Sequence, residues 1–182
     1  MDAVRVTALI LFVGLSVLIV YVVLRSRTVG RETRDSAAFR EAIAAVGPRA
    51  DETLAPISGL VDEVRRHHCE AGSILADLAA AQAAVTERIG EVEAIPTPKG
   101  SEDRRARILE DLLRAGRALE RIEHGCRLSQ ETTSRLGDLE GQTSVKRSYL
   151  ELQHAREAIG RHVLEASSAP NDAGQGSPGA RP

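Results

Sequence analysis

The run VTALILFVGLSVLIVYVVL, Val6 to Leu24, holds nineteen residues without a charge. At 1.5 Å per residue a helix of that length spans roughly 28 Å, about the hydrocarbon core of a bilayer. A cleaved signal peptide would have a shorter apolar region followed by a small-x-small cleavage site. The chain continues instead as RSRTVGRETR, which offers no such site, and no Cys stands near the run to carry a lipid. A water-soluble core helix that is apolar on every face would need more covering protein than so lean a chain supplies. The expectation is a transmembrane helix over 6–24, preceded by a short tail of residues 1–5.

Arg25, Arg27, Arg31 and Arg34 crowd the C-terminal flank of this run, against Asp2 and Arg5 on the other side. Lys and Arg are retained on the cytoplasmic side, so the bias orients the C-terminal domain inwards from the cell membrane. An extracytoplasmic domain is the alternative. The same four arginines make residues 25–35 a basic juxtamembrane segment. It would suit anionic headgroups at about 1 kcal/mol per charge near the surface, although a topology signal explains them without that contact.

The rest of the composition narrows the function classes. With a net charge of −2, no global field points to nucleic acid. The four aromatic residues are Phe12, Tyr21, Phe39 and Tyr149, so only two fall beyond the apolar run and there is no Trp. Base stacking and most concave ligand pockets need aromatic walls. What remains is the Leu, Ile, Val, Ala, Arg and Glu of long helices. Arg outnumbers Lys by 22 to 2, a bias that fits a GC-rich bacterial genome.

Helical spacing runs almost throughout. Phe39, Ile43 and Val46 lie on one face before Gly47-Pro48, which is expected to interrupt the helix. From there Ile57, Val64, Ala71, Leu78, Val85 and Val92 recur every seven residues, a coiled-coil-like heptad. IPTPKGS at 95–101 stops this arm, and Ser101 is placed to cap the next, with Glu102 and Asp103 in its first turn. The second arm carries Leu112, Leu119 and Cys126 on one line and Ile108, Ala115 and Ile122 on another. Its outer face is laced with acid-to-Arg pairs four apart, such as Glu110–Arg114 and Glu123–Arg127, which mark a solvated surface. A short turn between long helices makes them antiparallel neighbours.

The expected fold is all-α: the transmembrane helix, then a helical domain over 36–166 built as a long antiparallel hairpin turning at 95–101. A shorter membrane-proximal stem would follow where GDLEGQTS, 137–144, interrupts the second arm, with Phe39, Ile43 and Val46 opposite Tyr149 and Leu152. A bundle folded back at those two interruptions is the alternative. Two arms bury only a thin seam, so self-association is expected. Residues 167–182, ending SSAPNDAGQGSPGARP, have no periodic apolar residues and are expected to be a disordered tail.

RRHHCEAG, 65–72, gathers the residue types of a metal or redox site. Helical ligands should stand three or four apart, whereas His67, His68 and Cys69 are consecutive. The heptad from Ile57 and Val64 instead puts His67 and His68 at seam positions, a polar core layer that would fix register. Cys69 falls on the outer face as an exposed thiol, level with Cys126 across the hairpin but on the wrong face for a bridge. No phosphate loop, dinucleotide fingerprint, GxSxG elbow or HExxH occurs. The expectation is a non-enzymatic scaffold without cofactor or metal, contacting the bilayer through 6–24, a copy of itself and an unidentified protein partner. A signalling relay is the rival reading and a redox module a weaker third.

Overall fold

The computed structural model describes residues 2–131 and 135–168, with side chains for Tyr21 and from Thr33 onward, Arg135 excepted. Among these residues the chain is all-helical. Helix α1 is Asp2–Arg65, α2 Leu75–Ala94, α3 Glu102–Glu131 and α4 Arg135–Ser168, with one 3-10 turn at Ala71–Ile74. The described residues fall into two units, one up to Ala38 and one from Phe39 onward.

In the first unit the backbone is helical from Asp2, and Tyr21 is exposed. The segment expected to span the membrane, 6–24, has a helical backbone, but its side chains apart from Tyr21 lie outside the described residues. Among the described residues no helix is long and apolar enough to cross a membrane. Most of the tail expected to be disordered, 169–182, also lies outside them.

The second unit is a four-helix bundle rather than a two-arm hairpin. Its α2–α3 half follows the expected turn. Gln82 Nε2 donates to Glu123 Oε2 at 2.8 Å across the pair, and Gly116 lies beside Val85. In the connection, Gly100 takes φ +83, its N–H donates to the Glu102 carboxylate at 2.7 Å, and α3 begins directly after Ser101. Arg105 reaches back to the carbonyls of Glu93 in the last turn of α2 and of Ile95 just beyond it.

The other half departs from the expectation. The first arm does not run on to residue 94. It ends at Arg65, and α2 returns antiparallel beside it, so that Arg49 pairs with Glu91 at 3.6 Å. The second arm likewise ends at Glu131. Its successor α4 returns along α3, with Arg121 paired to Glu151 and Ser144 Oγ donating to the Arg121 carbonyl. Helix α4 also flanks α1, since Asp51 pairs with Arg156 at 2.5 Å and Gly47 faces Val163. Each helix thereby gains two neighbours, and the apolar stripe that a hairpin would leave wet is covered.

Both expected interruptions are corrected. Gly47-Pro48 does not break α1, which continues through Pro48 and Pro56. Phe39, Ile43, Val46, Ala50, Leu54, Ile57 and Val61 make one unbroken buried face across both prolines. Each proline is exposed, so the carbonyl it strands opens to solvent, and packing outweighs the lost bonds. GDLEGQTS is likewise helical, part of α4. The register of the stem shifts as a result. Phe39, Ile43 and Val46 do not meet Tyr149, which instead lies under Arg65 at the far end of α1, 5.4 Å from its guanidinium carbon. The additional reversal after Arg65 resets which α4 residue each α1 residue meets. Pro48→Ala should therefore stabilise the bundle by about 1–3 kcal/mol in urea unfolding. A neutral or destabilising result would mean that Pro48 acts as a break.

A line of small residues joins α3 to α4. Gly125 and Ala118 on α3 face Gly141, Ser148 and Ala155 on α4, all buried and each seven from the next along its helix. A Cβ built on Gly141 would stand 2.7 Å from the Gly125 carbonyl oxygen, so the two backbones touch there.

Candidate functional site

RRHHCEAG forms the reversal between α1 and α2. His67 donates its backbone N–H to the Val64 carbonyl at 3.0 Å and His68 donates to the Glu63 carbonyl at 2.9 Å. This paired capping is a Schellman end, with His67 in the left-handed position at φ +59. Glycine usually occupies that position, and histidine is one of the residue types that tolerate it. His67 and His68 are both exposed, so the expected polar core layer is not formed. The helix ends before the heptad can carry them into the seam. Exchanging His67 for Gly removes the Cβ strain at positive φ, and His67→Gly should gain about 0.5–1 kcal/mol in thermal or urea unfolding. A loss would mean that the imidazole makes a contact that outweighs the strain.

Cys69 follows in the turn. It is half-buried and packs against the hydrophobic core, not exposed as the heptad implied, because the reversal resets which face it presents. Glu70 is extended, and its carbonyl accepts from the Ser73 N–H at 3.1 Å and from Ser73 Oγ at 2.8 Å, starting the 3-10 turn into α2. Gly72 lies directly under the end of the Gln130 side chain, which crosses from α3 over the turn.

The turn, the end of α3 and the start of α4 enclose a half-open cleft of about 500 Å³. His67, Cys69, Glu70, Gln130, Asp138 and Lys146 are among its walls. Gln142 Nε2 donates to Asp138 Oδ2 at 2.9 Å. Arg65 is held by Asp62, with Nη2 2.6 Å and Nε 3.0 Å from Oδ1. Those hydrogen bonds, with the Arg66 charge, hold the Asp62 carboxyl below its ordinary range against a desolvation that pushes the other way. The cleft thus mixes charges of both signs and already pairs several of them internally. Of the residues singled out from sequence, it brings together His67 and Cys69. Among the described residues no three His, Cys, Asp or Glu side chains gather as metal ligands.

Cys126 is fully buried. Desolvation, then the nearby Cys69 and Glu123, push its thiol up to about 11. Glu123 itself is held below its ordinary range, first by the Gln82 amide and then by Arg127. Both cysteines are free thiols.

A second polar group was not anticipated. Asp111 is buried on α3, with Oδ2 2.6 Å from His162 Nδ1 of α4 and Oδ1 3.3 Å from Arg114 Nη1. Asp111 stands seven residues before Ala118, at the end of the small-residue line facing α4. The signal available was that spacing: the position three after buried Ile108 belongs to the core-facing stripe. Of the basic cluster, Arg34 is exposed, while the side chains of Arg25, Arg27 and Arg31 lie outside the described residues.

Compared with protein-family models, with curated proteins and with solved structures, the chain matches none of them.

Proposed function

We propose that this chain is a single-pass membrane protein whose helical bundle is a non-enzymatic interaction module held at the bilayer by residues 6–24. The observation that carries the reading is the uncharged run Val6–Leu24 with four arginines directly after it. The flank favours a cytoplasmic bundle, and the Arg-over-Lys bias favours a bacterial source. The bundle suits binding to another protein better than chemistry: buried Asp111 is paired to His162 and Arg114, and the cleft at the α1–α2 reversal is walled by both signs of charge. Contact with a protein partner and with a second copy follows from the same reading.

Alkaline carbonate extraction tests the anchor. The full chain should stay with the membrane pellet, and a deletion of 6–24 should be released. Release of the full chain would sink the reading. Sidedness should be read at an exposed position, since Cys69 is half-buried. A Glu87→Cys substitution in a Cys69→Ser background should react with a membrane-impermeant maleimide only after lysis. Labelling of intact cells would place the bundle outside.

The relay reading gains one observation. Helix α1 continues through Gly47-Pro48, and an unbroken helix is what a relay would need. A flexible glycine-rich insertion between residues 34 and 39 should leave an anchored interaction module working and should uncouple a relay.

A further inference from the structure

Helix α4 carries a second stripe on the side opposite its buried face. Among the exposed large apolar side chains of the bundle, four lie on this helix: Leu136 is 81% exposed, Leu164 67%, Leu150 53% and Leu139 51%. At about 100° per residue, these four together with exposed Lys146 and Glu157 fall within an arc of roughly 80°. Buried Val145, Leu152, Ile159 and Val163 lie on the opposite side. The bundle leaves the stripe largely uncovered, although Leu164 borders α1 near Gly47 and Pro48 and Lys146 borders the cleft at the α1–α2 reversal. Lys146 and Glu157 make no ion pair within the chain among the described residues.

We propose that a second copy of this chain covers the stripe, the two α4 helices packing antiparallel with Lys146 of each on Glu157 of the other. The inference rests on the interaction-module reading above and names its partner. The spacing supports it. Lys146 stands seven residues after Leu139, and Glu157 seven before Leu164. Any antiparallel alignment that sets Lys146 on Glu157 therefore sets Leu139 on Leu164 as well. Two-fold symmetry repeats both contacts, and Leu150 falls near its own copy at the centre. The flanks agree, because Glu140 comes within two residues of the level of Arg161 of the second copy. A parallel alignment would instead stack Lys146 on Lys146 and Glu157 on Glu157, in seam positions where like charges are most costly. The 34 residues of α4 make a helix about 51 Å long and about 10 Å wide. Such a face buries on the order of 1,000 Å² between two copies, near the lower bound for a specific interface. Pairing of that size is modest, and charge register is what would make it specific.

The test uses the full chain in detergent micelles, followed by sedimentation equilibrium. The unmodified chain should dimerise. Either Lys146→Glu or Glu157→Lys should raise the dissociation constant about tenfold or more. The double exchange in one chain should return it to within about threefold of the original. Both positions of change are exposed, so circular dichroism should report an unaltered bundle. Register is read by oxidative cross-linking in a Cys69→Ser background. Chains with Lys146→Cys should bridge to chains with Glu157→Cys and not to themselves. A monomeric full chain, a double exchange that fails to rescue, or self-bridging of either single variant overturns the proposal. Monomers that remain membrane-bound after carbonate would overturn the pairing alone. Release by carbonate would overturn the anchor and leave the pairing to be judged by the same sedimentation.

Discussion

Gly141→Ala is expected to destabilise the bundle by about 2 kcal/mol, although alanine is the better helix former by about 1 kcal/mol. The added Cβ would meet Ser129 Oγ at 2.4 Å, the Gly125 carbonyl oxygen at 2.7 Å and the Ser129 nitrogen at 3.0 Å. A hydroxyl can rotate away, but two of these atoms are backbone. Relief then requires α3 and α4 to separate, which loosens the Gly125, Ala118, Ser148 and Ala155 line along its length. Overpacking of this kind costs about 1–3 kcal/mol and occasionally more, which outweighs the propensity gain. The same exchange at Gly90 or Gly160 meets nothing within 4 Å. There it should stabilise by about 0.5–1 kcal/mol. Urea unfolding of the three variants gives opposite signs for one chemical change. If Gly141→Ala also stabilised, α3 and α4 would not be in backbone contact. The expected interruption at 137–144 is thus the opposite of a break: a glycine that permits a close helix crossing is a point of rigidity.

Why the hairpin half was legible and the bundle was not can be seen at two places. Pro96, Pro98 and Gly100 fall between two heptads, and the turn chemistry there is strong enough that α2 and α3 follow from it directly. The reversal at 66–70 carries no glycine or proline at its left-handed residue. His67 takes that conformation, and local chemistry gives no warning when a tolerated residue replaces the favoured one. The heptad also continues in register across the gap, from Val64 to Ala71 to Leu78, so periodicity hid the break. Pro48 misleads in the opposite direction. Its signal to stop the helix is real, but a seven-residue buried face overrides it, as tertiary packing often overrides propensity.

The polar groups were less legible for a related reason. His67 and Cys69 attract attention as residue types, yet their faces follow from where α1 ends, and a wrong end moved both. Asp111 and His162 are 51 positions apart, and neither lies in a motif. Their meeting depends on α4 returning along α3, which composition does not announce. The α4 stripe is hidden differently: Leu136 continues the seven-residue line of Ile108, Ala115, Ile122 and Ser129, which in a continuous arm would set it in the inner seam. With α4 a separate helix, the same leucine faces outward.

Alkaline unfolding should report Cys126 with little interference. Its folded-state value of about 11 lies above the ordinary thiol value near 9.0. The folded state therefore holds the proton more tightly than the unfolded chain does. The stability this confers is fully present below about pH 9 and is lost as pH rises through about 11. A shift of about two units corresponds to about 2–3 kcal/mol across that window. Few other groups ionise there. Lysine and tyrosine occur twice each, Cys69 is the one other thiol, and the 22 arginines do not titrate. Cys126→Ala should lower stability by about 1 kcal/mol at pH 7 through the lost sulfur contacts. Its stability should then stay nearly flat from pH 8.5 to 11, so the two proteins converge and cross as the solution becomes alkaline. Cys69→Ala in the same series separates the thiols, because it removes a neighbour of Cys126 and should leave most of the slope in place. Parallel curves for the unmodified chain and Cys126→Ala would show that the buried thiol does not govern the alkaline limb. Desolvation in the α3 seam, named first among the causes of the shift, would then be much weaker than the full burial of Cys126 implies.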